Sequence, residues 1–195
     1  MMPDAGTRPM GPPIYASEVV DFNAGSGAGF GQDGLPDIVL GPPLPPESRN
    51  GSLDVLSLGA GGEIVVGFGE RRIVDGPGAD FVVFENPFEV DDGGIFAELG
   101  EVAVSTDAVH WRTFSCDPDP EAEAWPGCAG WRIVEAFDVE AMDPLEPGST
   151  GGDPFDLADV GLESARYVRV RDVSGLGEAP SAGFDLDAIG AVHLE

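Results

Sequence analysis

Two acidic segments near the end of the chain share the tripeptide Phe-Asp-Leu. The first is GGDPFDLADVG, from Gly151 to Gly161, and the second is GFDLDAIG, from Gly183 to Gly190. Grouped carboxylates can ligate a hard cation, accept hydrogen bonds from the backbone of turns, or act as an acid and base pair in hydrolysis. The two segments supply four aspartates: Asp153, Asp156, Asp185 and Asp187.

Calcium binding is the hypothesis that best explains the repeated pattern. Alternation along a strand places Asp185 and Asp187 on one face, with their Cβ atoms about 7 Å apart. Gly and Pro bend the loop around the other two aspartates and expose carbonyl oxygens. Because Ca²⁺ takes six to eight oxygens at loosely constrained angles, a strand end and such a loop can share one ion. We therefore predict a structural Ca²⁺ held by Asp153, Asp156, Asp185 and Asp187.

Other polar residues are further candidate ligands, and a simpler interpretation stays open for all of them. No EF-hand loop is present. Each loop carboxylate can instead anchor a turn, with its oxygens accepting backbone N–H groups while Phe and Leu enter the core. The further candidates are Asp21, Asn23, Glu85, Asn86 and Glu98.

The charge balance argues against partners that are themselves strongly negative. The chain has 36 acidic and 9 basic residues, for a formal net charge of −27. Nucleic acid and anionic lipid surfaces are bound through Lys and Arg, so we expect neither nucleic acid binding nor membrane insertion. The same carboxylates attract divalent cations.

The two cysteines, Cys116 and Cys128, bracket the acidic stretch CDPDPEAEAWPGC. Their spacing fits neither a CxxC redox pair nor half of a zinc ribbon, so we predict a disulfide, with two buried thiols as the alternative. A disulfide persists only in an oxidising compartment, which favours an extracellular or cell-surface location. Inside this loop Trp125 precedes a proline that can hold its ring exposed, and it is the candidate contact for a ligand.

Little in the sequence supports catalysis. His110 and His193 are the two histidines, and both lie in strand patterns. No G-x-S-x-G elbow, P-loop or H-E-x-x-H motif occurs. We therefore expect no enzyme, and a glycosidase that uses two of the carboxylates is the last alternative.

The elements that must position these side chains are short strands. Apolar runs of four to nine residues alternate with Gly, Pro, Asp and Asn clusters, a pattern typical of an antiparallel sandwich or barrel. The turns VDGPGAD and STDAVHW predict hairpins, and one helical turn is expected at Leu157 to Gly161. The candidate strands are 14–22, 37–41, 52–58, 63–69, 80–85, 101–106, 110–115, 131–137, 165–173 and a last one from Phe184.

The chain is expected to form one domain. Residues 1–13 are rich in Pro and Gly and predict a flexible lead-in, and residues 14–195 predict a single β-sandwich domain. The first residues lack the apolar region of a signal peptide, so an exported form would carry a leader not visible in this sequence. The apolar runs are too short to cross a bilayer.

Several longer segments together resemble a group of bacterial exported cell-surface proteins: SLGAGGEIVVGFGERRIVDGPGADFVVFENPF, VAVSTDAVHWRTF, GGDPFDLADVG, ARYVRVRD and GFDLDAIGAVH. ARYVRV before a short acidic last strand also resembles the galactose-binding-like β-sandwiches, namely discoidin domains and carbohydrate-binding modules. This resemblance implies a jelly roll of about eight strands, a structural calcium ion near the chain ends, and ligand binding by loops at one edge. Asp185 or Asp187 matches a calcium ligand of some of these modules, although an aromatic platform for sugar is not evident.

These observations favour a non-catalytic extracellular recognition module. We expect about eight to ten antiparallel strands in a jelly-roll sandwich with long loops rich in Gly and Pro. The expected ligand is a carbohydrate or a cell-surface protein. The alternative is a structural or assembly protein of the cell envelope that has no small ligand.

Overall fold

The computed structural model describes residues 14–43, 52–91, 93–119, 124–134 and 150–195. The predicted lead-in, residues 1–13, lies outside this range, and the prediction of one domain over 14–195 stays a prediction. The described chain is all-β, and every strand pair is antiparallel. In these ranges no helix is both long enough and apolar enough to span a membrane.

Short strands make up several sheets. In chain order they are β1 (Glu18–Asn23), β2 (Leu56–Ser57), β3 (Glu63–Gly67), β4 (Ile73–Val74), β5 (Phe81–Phe84), β6 (Phe88–Glu89), β7 (Ile95–Phe96), β8 (Gly100–Ser105), β9 (Trp111–Thr113), β10 (Cys128–Ala129), β11 (Asp153–Phe155), β12 (Ser164–Ala165), β13 (Tyr167–Asp172), β14 (Asp185–Leu186) and β15 (Ala188–Ala191). The largest sheet has the order β1-β3-β13-β8-β10, with β9 also paired to β8. A second sheet has the order β11-β5-β15, and three separate pairs join β4 to β12, β2 to β14 and β6 to β7.

Both larger sheets contribute to one hydrophobic core. On β13 the predicted alternation is confirmed, because Val168 and Val170 are fully buried while Arg171 on the opposite face is exposed. These valines belong to the same core cluster as Phe81 of β5 and Ile189 of β15. The packing of apolar faces from two antiparallel sheets explains why strands of only two to six residues are stable here.

Strand β1 lies at one edge of the largest sheet. Its pairing with β3 shifts register between Val19 and Asp21, which marks a β-bulge. Glu18 and Val20 on this strand are exposed.

Two predicted strands are wrong in the described chain. Residues 37–41 contain the 3₁₀ helix Asp37–Val39, whose one buried side chain is Val39. Prolines on both sides of this run lack the N–H that a ladder requires, and a single core contact does not need extended backbone. Of the predicted strand 131–137, residues 131–134 are not extended in a ladder, and residues 135–137 lie outside the described chain.

The turn predictions have mixed outcomes. STDAVHW forms the hairpin between β8 and β9, as expected. VDGPGAD connects β4 to β5, but these two strands pair with β12 and with β11 and β15 rather than with each other. The helical turn expected at Leu157 to Gly161 is confirmed as the 3₁₀ helix Leu157–Val160.

The predicted disulfide is confirmed. Cys116 and Cys128 are bonded across a sequence separation of 12 residues. The bond links the chain that follows β9 to strand β10. Both β9 and β10 pair with β8. It thereby holds one end of the largest sheet.

Replacing both cysteines by serine should lower the free energy of unfolding by about 3 kcal/mol, because the bond restricts a loop of this length in the unfolded chain. Urea unfolding followed by circular dichroism measures the difference. Ser115→Ala, at an exposed neighbouring position, is the control and should change stability by less than about 0.5 kcal/mol. Equal unfolding midpoints for the cysteine variant and the wild type would contradict this role.

Candidate functional site

The two Phe-Asp-Leu segments converge on one strand. Asp153 in β11 is paired with Val83 of β5, and Ile189 in β15 is paired with the same residue from the other side. The segments therefore flank β5. Their four aspartates nevertheless do not form one group of ligand atoms within 4.8 Å of one another; among the described residues Asp156 forms such a group with Asp75 and Asp80.

Asp153 is a backbone anchor. Its side chain is buried, and Oδ2 accepts hydrogen bonds from the backbone N–H of Gly130 at 2.7 Å and of Trp131 at 3.2 Å. Burial raises the pKa of this carboxyl to about 7, although these N–H groups and Arg132, whose Nε lies 3.9 Å from Oδ1, act in the opposite direction. Asp153 thus accepts backbone N–H groups, as the alternative interpretation expects, but from residues 23 and 22 positions away rather than from its own turn.

Asp156 belongs to a triad with Asp75 and Asp80. One carboxylate oxygen from each lies within 4.8 Å of the others, so this triad could hold a metal ion. Asp156 also caps the following 3₁₀ helix, with Oδ1 accepting from Ala158 N–H at 2.9 Å. The triad connects the turn after β4 to the loop after β11.

Asp80 is the buried member of the triad. Its Oδ1 accepts from Gly76 N–H and lies 2.8 Å from His193 Nδ1, and its Oδ2 accepts from Leu157 N–H at 2.7 Å. Neither Asp75 nor Asp80 is among the ligands predicted from the sequence. The available signal was a Gly-Pro-Gly turn with an aspartate on either side. In the structure this turn forms a bend that brings the two carboxylates close together.

A second acidic cluster contains Glu85, Glu98 and Asp185. Only 3%, 5% and 8% of these residues is exposed, respectively. Each has one buried oxygen that has no hydrogen-bond partner among the described residues: Glu85 Oε2, Glu98 Oε1 and Asp185 Oδ1. Glu85 directly follows β5, Glu98 precedes β8, and Asp185 lies in β14, so tertiary structure alone assembles the cluster.

Burial and mutual repulsion disfavour the charged forms in this cluster. The pKa of Glu85 is raised well above its ordinary value by desolvation and then by the neighbouring Asp185 and Glu98. Desolvation, with Asp185 and Asp172 nearby, raises the pKa of Glu98 to about 8. Desolvation also raises the pKa of Asp185 to about 6, against a hydrogen bond from Ser57.

The cluster adjoins a cavity of about 290 Å³. Glu98 and Asp185 line it together with Asn86, so three candidate ligands named from the sequence meet here. Phe88 and Phe96 form an aromatic wall, with ring centroids 5.1 Å apart across the β6–β7 pair. We call the rings of Phe88 and Phe96 the wall of the cavity and the carboxyl groups of Glu98 and Asp185 its floor, so the cavity has both apolar and acidic surface.

The remaining candidates lie elsewhere. Asp187 is fully buried between β14 and β15, and its charge adds to the desolvation that raises the pKa of Tyr15. Asn23 donates a hydrogen bond to Asp21 at 2.9 Å on exposed positions of β1.

Trp125 is half-buried beside the disulfide. Its ring centroid lies 6.4 Å from that of Trp131, and it is not among the residues that line the cavity. Its role as a ligand contact stays a prediction.

Comparison with protein-family models and with curated proteins finds no match to this chain. The geometry of the described residues therefore carries the functional argument. It offers a tight triad of aspartates at one place and a cavity with a buried acidic floor at another.

Stability should fall as pH rises from about 4.5 to about 8. Glu98 is neutral in the folded protein up to its raised pKa of about 8, whereas the unfolded chain loses this proton near the ordinary value of 4.5. The folded state therefore holds more protons across this interval, and its advantage is lost as pH increases. Melting temperatures of the wild type and Glu98→Gln, measured at several pH values in this range, check the effect.

We expect Glu98→Gln to flatten the pH dependence and to raise the melting temperature at pH 8. Glu101→Gln is the control, because Glu101 pairs with Arg171 on the partly exposed face of the largest sheet. A pH slope that is the same for both variants would show that Glu98 does not contribute as described.

Proposed function

We propose that this protein is a non-catalytic recognition domain that functions outside the cell and binds a carbohydrate or another cell-surface ligand. The observation that carries the proposal is the cavity of about 290 Å³ with Glu98 and Asp185 at its floor. A fold that needed no ligand would gain stability from apolar side chains at these positions, since buried unpaired carboxylates are costly. Their retention beside an open cavity supports ligand binding.

A galactose-binding-like jelly-roll β-sandwich is the fold we propose within the all-β class. Two observations support it. All described strand pairs are antiparallel, and the apolar faces of both larger sheets enter one core. The loops that surround the cavity, including the β6–β7 pair, would then supply the binding edge.

The disulfide and the charge support an extracellular location. Cys116 and Cys128 are bonded, and such bonds persist in oxidising compartments. A net charge of −27 with no lysine is compatible with a surface exposed to salt and divalent cations.

Calcium is the ion that we propose for the triad of Asp75, Asp80 and Asp156. These carboxylates provide hard oxygen ligands within 4.8 Å of one another, and Asp75 is exposed, so water can complete the coordination. The ion would fasten the turn after β4 to the 3₁₀ helix after β11. Of the four ligands predicted from the sequence, this assignment retains Asp156. Asp75 and Asp80 take the place of the other three.

Calcium should raise the melting temperature of the wild type by several degrees, and EDTA should reverse the change, because an ion bound only to the folded state stabilises it by RT ln(1 + [L]/Kd). Asp156→Asn should abolish the response, since Asn retains the helix cap but removes the charge. Asp33→Asn, at an exposed position outside the triad, should retain the full response. Metal analysis of the purified protein accompanies the melts, and identical melts in calcium and EDTA would refute the site.

Binding to a glycan array in the presence of calcium tests the recognition function. We expect a small set of ligands that the wild type binds and that a cavity-floor variant, Glu98→Gln, binds at least tenfold more weakly. No hit on the array, combined with concentration-dependent assembly of the protein in solution, would instead support the structural role in the cell envelope.

A further inference from the structure

The carboxylates that line the cavity have no positively charged partner among the described residues. Glu98 and Asp185 are more than nine-tenths buried, each has an unpartnered oxygen, and both residues line the cavity. Glu85, which is not among the residues that line the cavity, has a third such oxygen. None of the ion pairs between described residues includes any of the three. A ligand that brings positive charge would remove both the desolvation cost and the mutual repulsion.

The spacing of these carboxylates disfavours one small inorganic ion. Among the described residues, the group whose oxygens lie within 4.8 Å of one another is the triad of Asp75, Asp80 and Asp156. Glu85, Glu98 and Asp185 do not meet that condition, so the arrangement of their oxygens is less suited to one small metal ion than that of the triad. A guanidinium or ammonium group on a longer molecule presents several N–H donors over a wider span.

The walls of the cavity favour an organic molecule. Phe30, Phe88 and Phe96 line it, and Phe88 and Phe96 are stacked on each other. Aromatic faces attract cations and also cover apolar stems. Its volume of about 290 Å³ exceeds that of a hydrated ion and lies at the lower end of the range for small-molecule sites.

A glycine keeps the floor open. A Cβ atom added to Gly177 would lie 2.6 Å from Glu98 Oε1, and Gly177 has a φ of +74°. A side chain at this position would therefore displace the carboxylate that faces the cavity. The backbone conformation and the close approach both require glycine here.

We propose that this cavity binds a small organic cation, an ammonium or guanidinium group on a short apolar stem. The charged group lies against Glu98 and Asp185, and the stem lies along Phe88 and Phe96. The inference rests on the proposed recognition function, which assigns ligand binding to this cavity. It narrows the class of ligand to molecules that carry a positive charge.

Isothermal titration with agmatine tests the inference on the full chain at about pH 8 and physiological salt. Agmatine carries a guanidinium and an ammonium group on a four-carbon stem, and 1-butanol is the uncharged comparison. We expect saturable binding of one agmatine, no binding of 1-butanol, and at least a tenfold loss of agmatine affinity in Glu98→Gln and in Asp185→Asn. Phe96→Leu should also weaken binding, because it removes one ring of the wall and leaves the charge unchanged.

Glu18→Gln is the matched control. It removes one negative charge at an exposed position of β1 and should leave agmatine affinity unchanged. This control is needed because a protein with a net charge of −27 accumulates any cation at its surface. Circular dichroism confirms that each variant is folded, and Phe96→Leu keeps the test decisive if a floor variant does not fold.

Three results would overturn the inference. These are no saturable agmatine binding, equal weakening in Glu18→Gln and Glu98→Gln, or stoichiometric calcium binding that Glu98→Gln abolishes. The last result would assign an inorganic cation to the cavity. Failure here is distinguishable from failure of the proposed function, which depends on the array and on the calcium response of Asp156→Asn.

Discussion

Hydrogen bonds from loop backbone to buried aspartates are the interaction on which the rest of the structure depends. The strands are short, so much of the described chain lies outside the ladders and needs other acceptors for its N–H groups. Asp80 accepts from Leu157, which is far from it in sequence. Asp172 accepts from Gly61 N–H and from Phe184 N–H, and so joins the loops after β2 and before β14 to the end of β13. These carboxylates act as junctions where strands cannot.

Buried carboxylates serve two purposes in this structure, and the number of hydrogen bonds that each accepts distinguishes the two. Asp80 and Asp172 use both carboxylate oxygens, so their negative charge is stabilised inside the protein. Glu98 and Asp185 are equally buried but each retains an oxygen without a partner. Asp80 and Asp172 hold the loops, whereas Glu98 and Asp185 line the cavity in which we propose that a ligand binds. Net charge and composition alone do not make this distinction.

Local patterns were sufficient for some features and not for others. Alternation on β13 predicted which face is buried, and the spacing of Cys116 and Cys128 predicted their bond. Each depends on a few neighbouring residues. By contrast, the surroundings of Asp185 depend on the pairing of β14 with β2 and on Glu85, which is 100 residues away. For this reason Asp153 was predicted in a bent loop although it begins β11, and the aspartates beside the Gly-Pro-Gly turn were missed.

The edge of the largest sheet has a consequence for how molecules of this protein meet. A free edge strand can template the addition of a strand from another chain. On β1 the bulge between Val19 and Asp21 misaligns the outward-facing peptide groups, and Glu18 repels the same residue of an approaching copy. Fibrous polymerisation along this edge is thus opposed by shape and by charge. Concentrated salt screens only the second barrier, so the irregular backbone remains as a safeguard where the electrostatic one is weak.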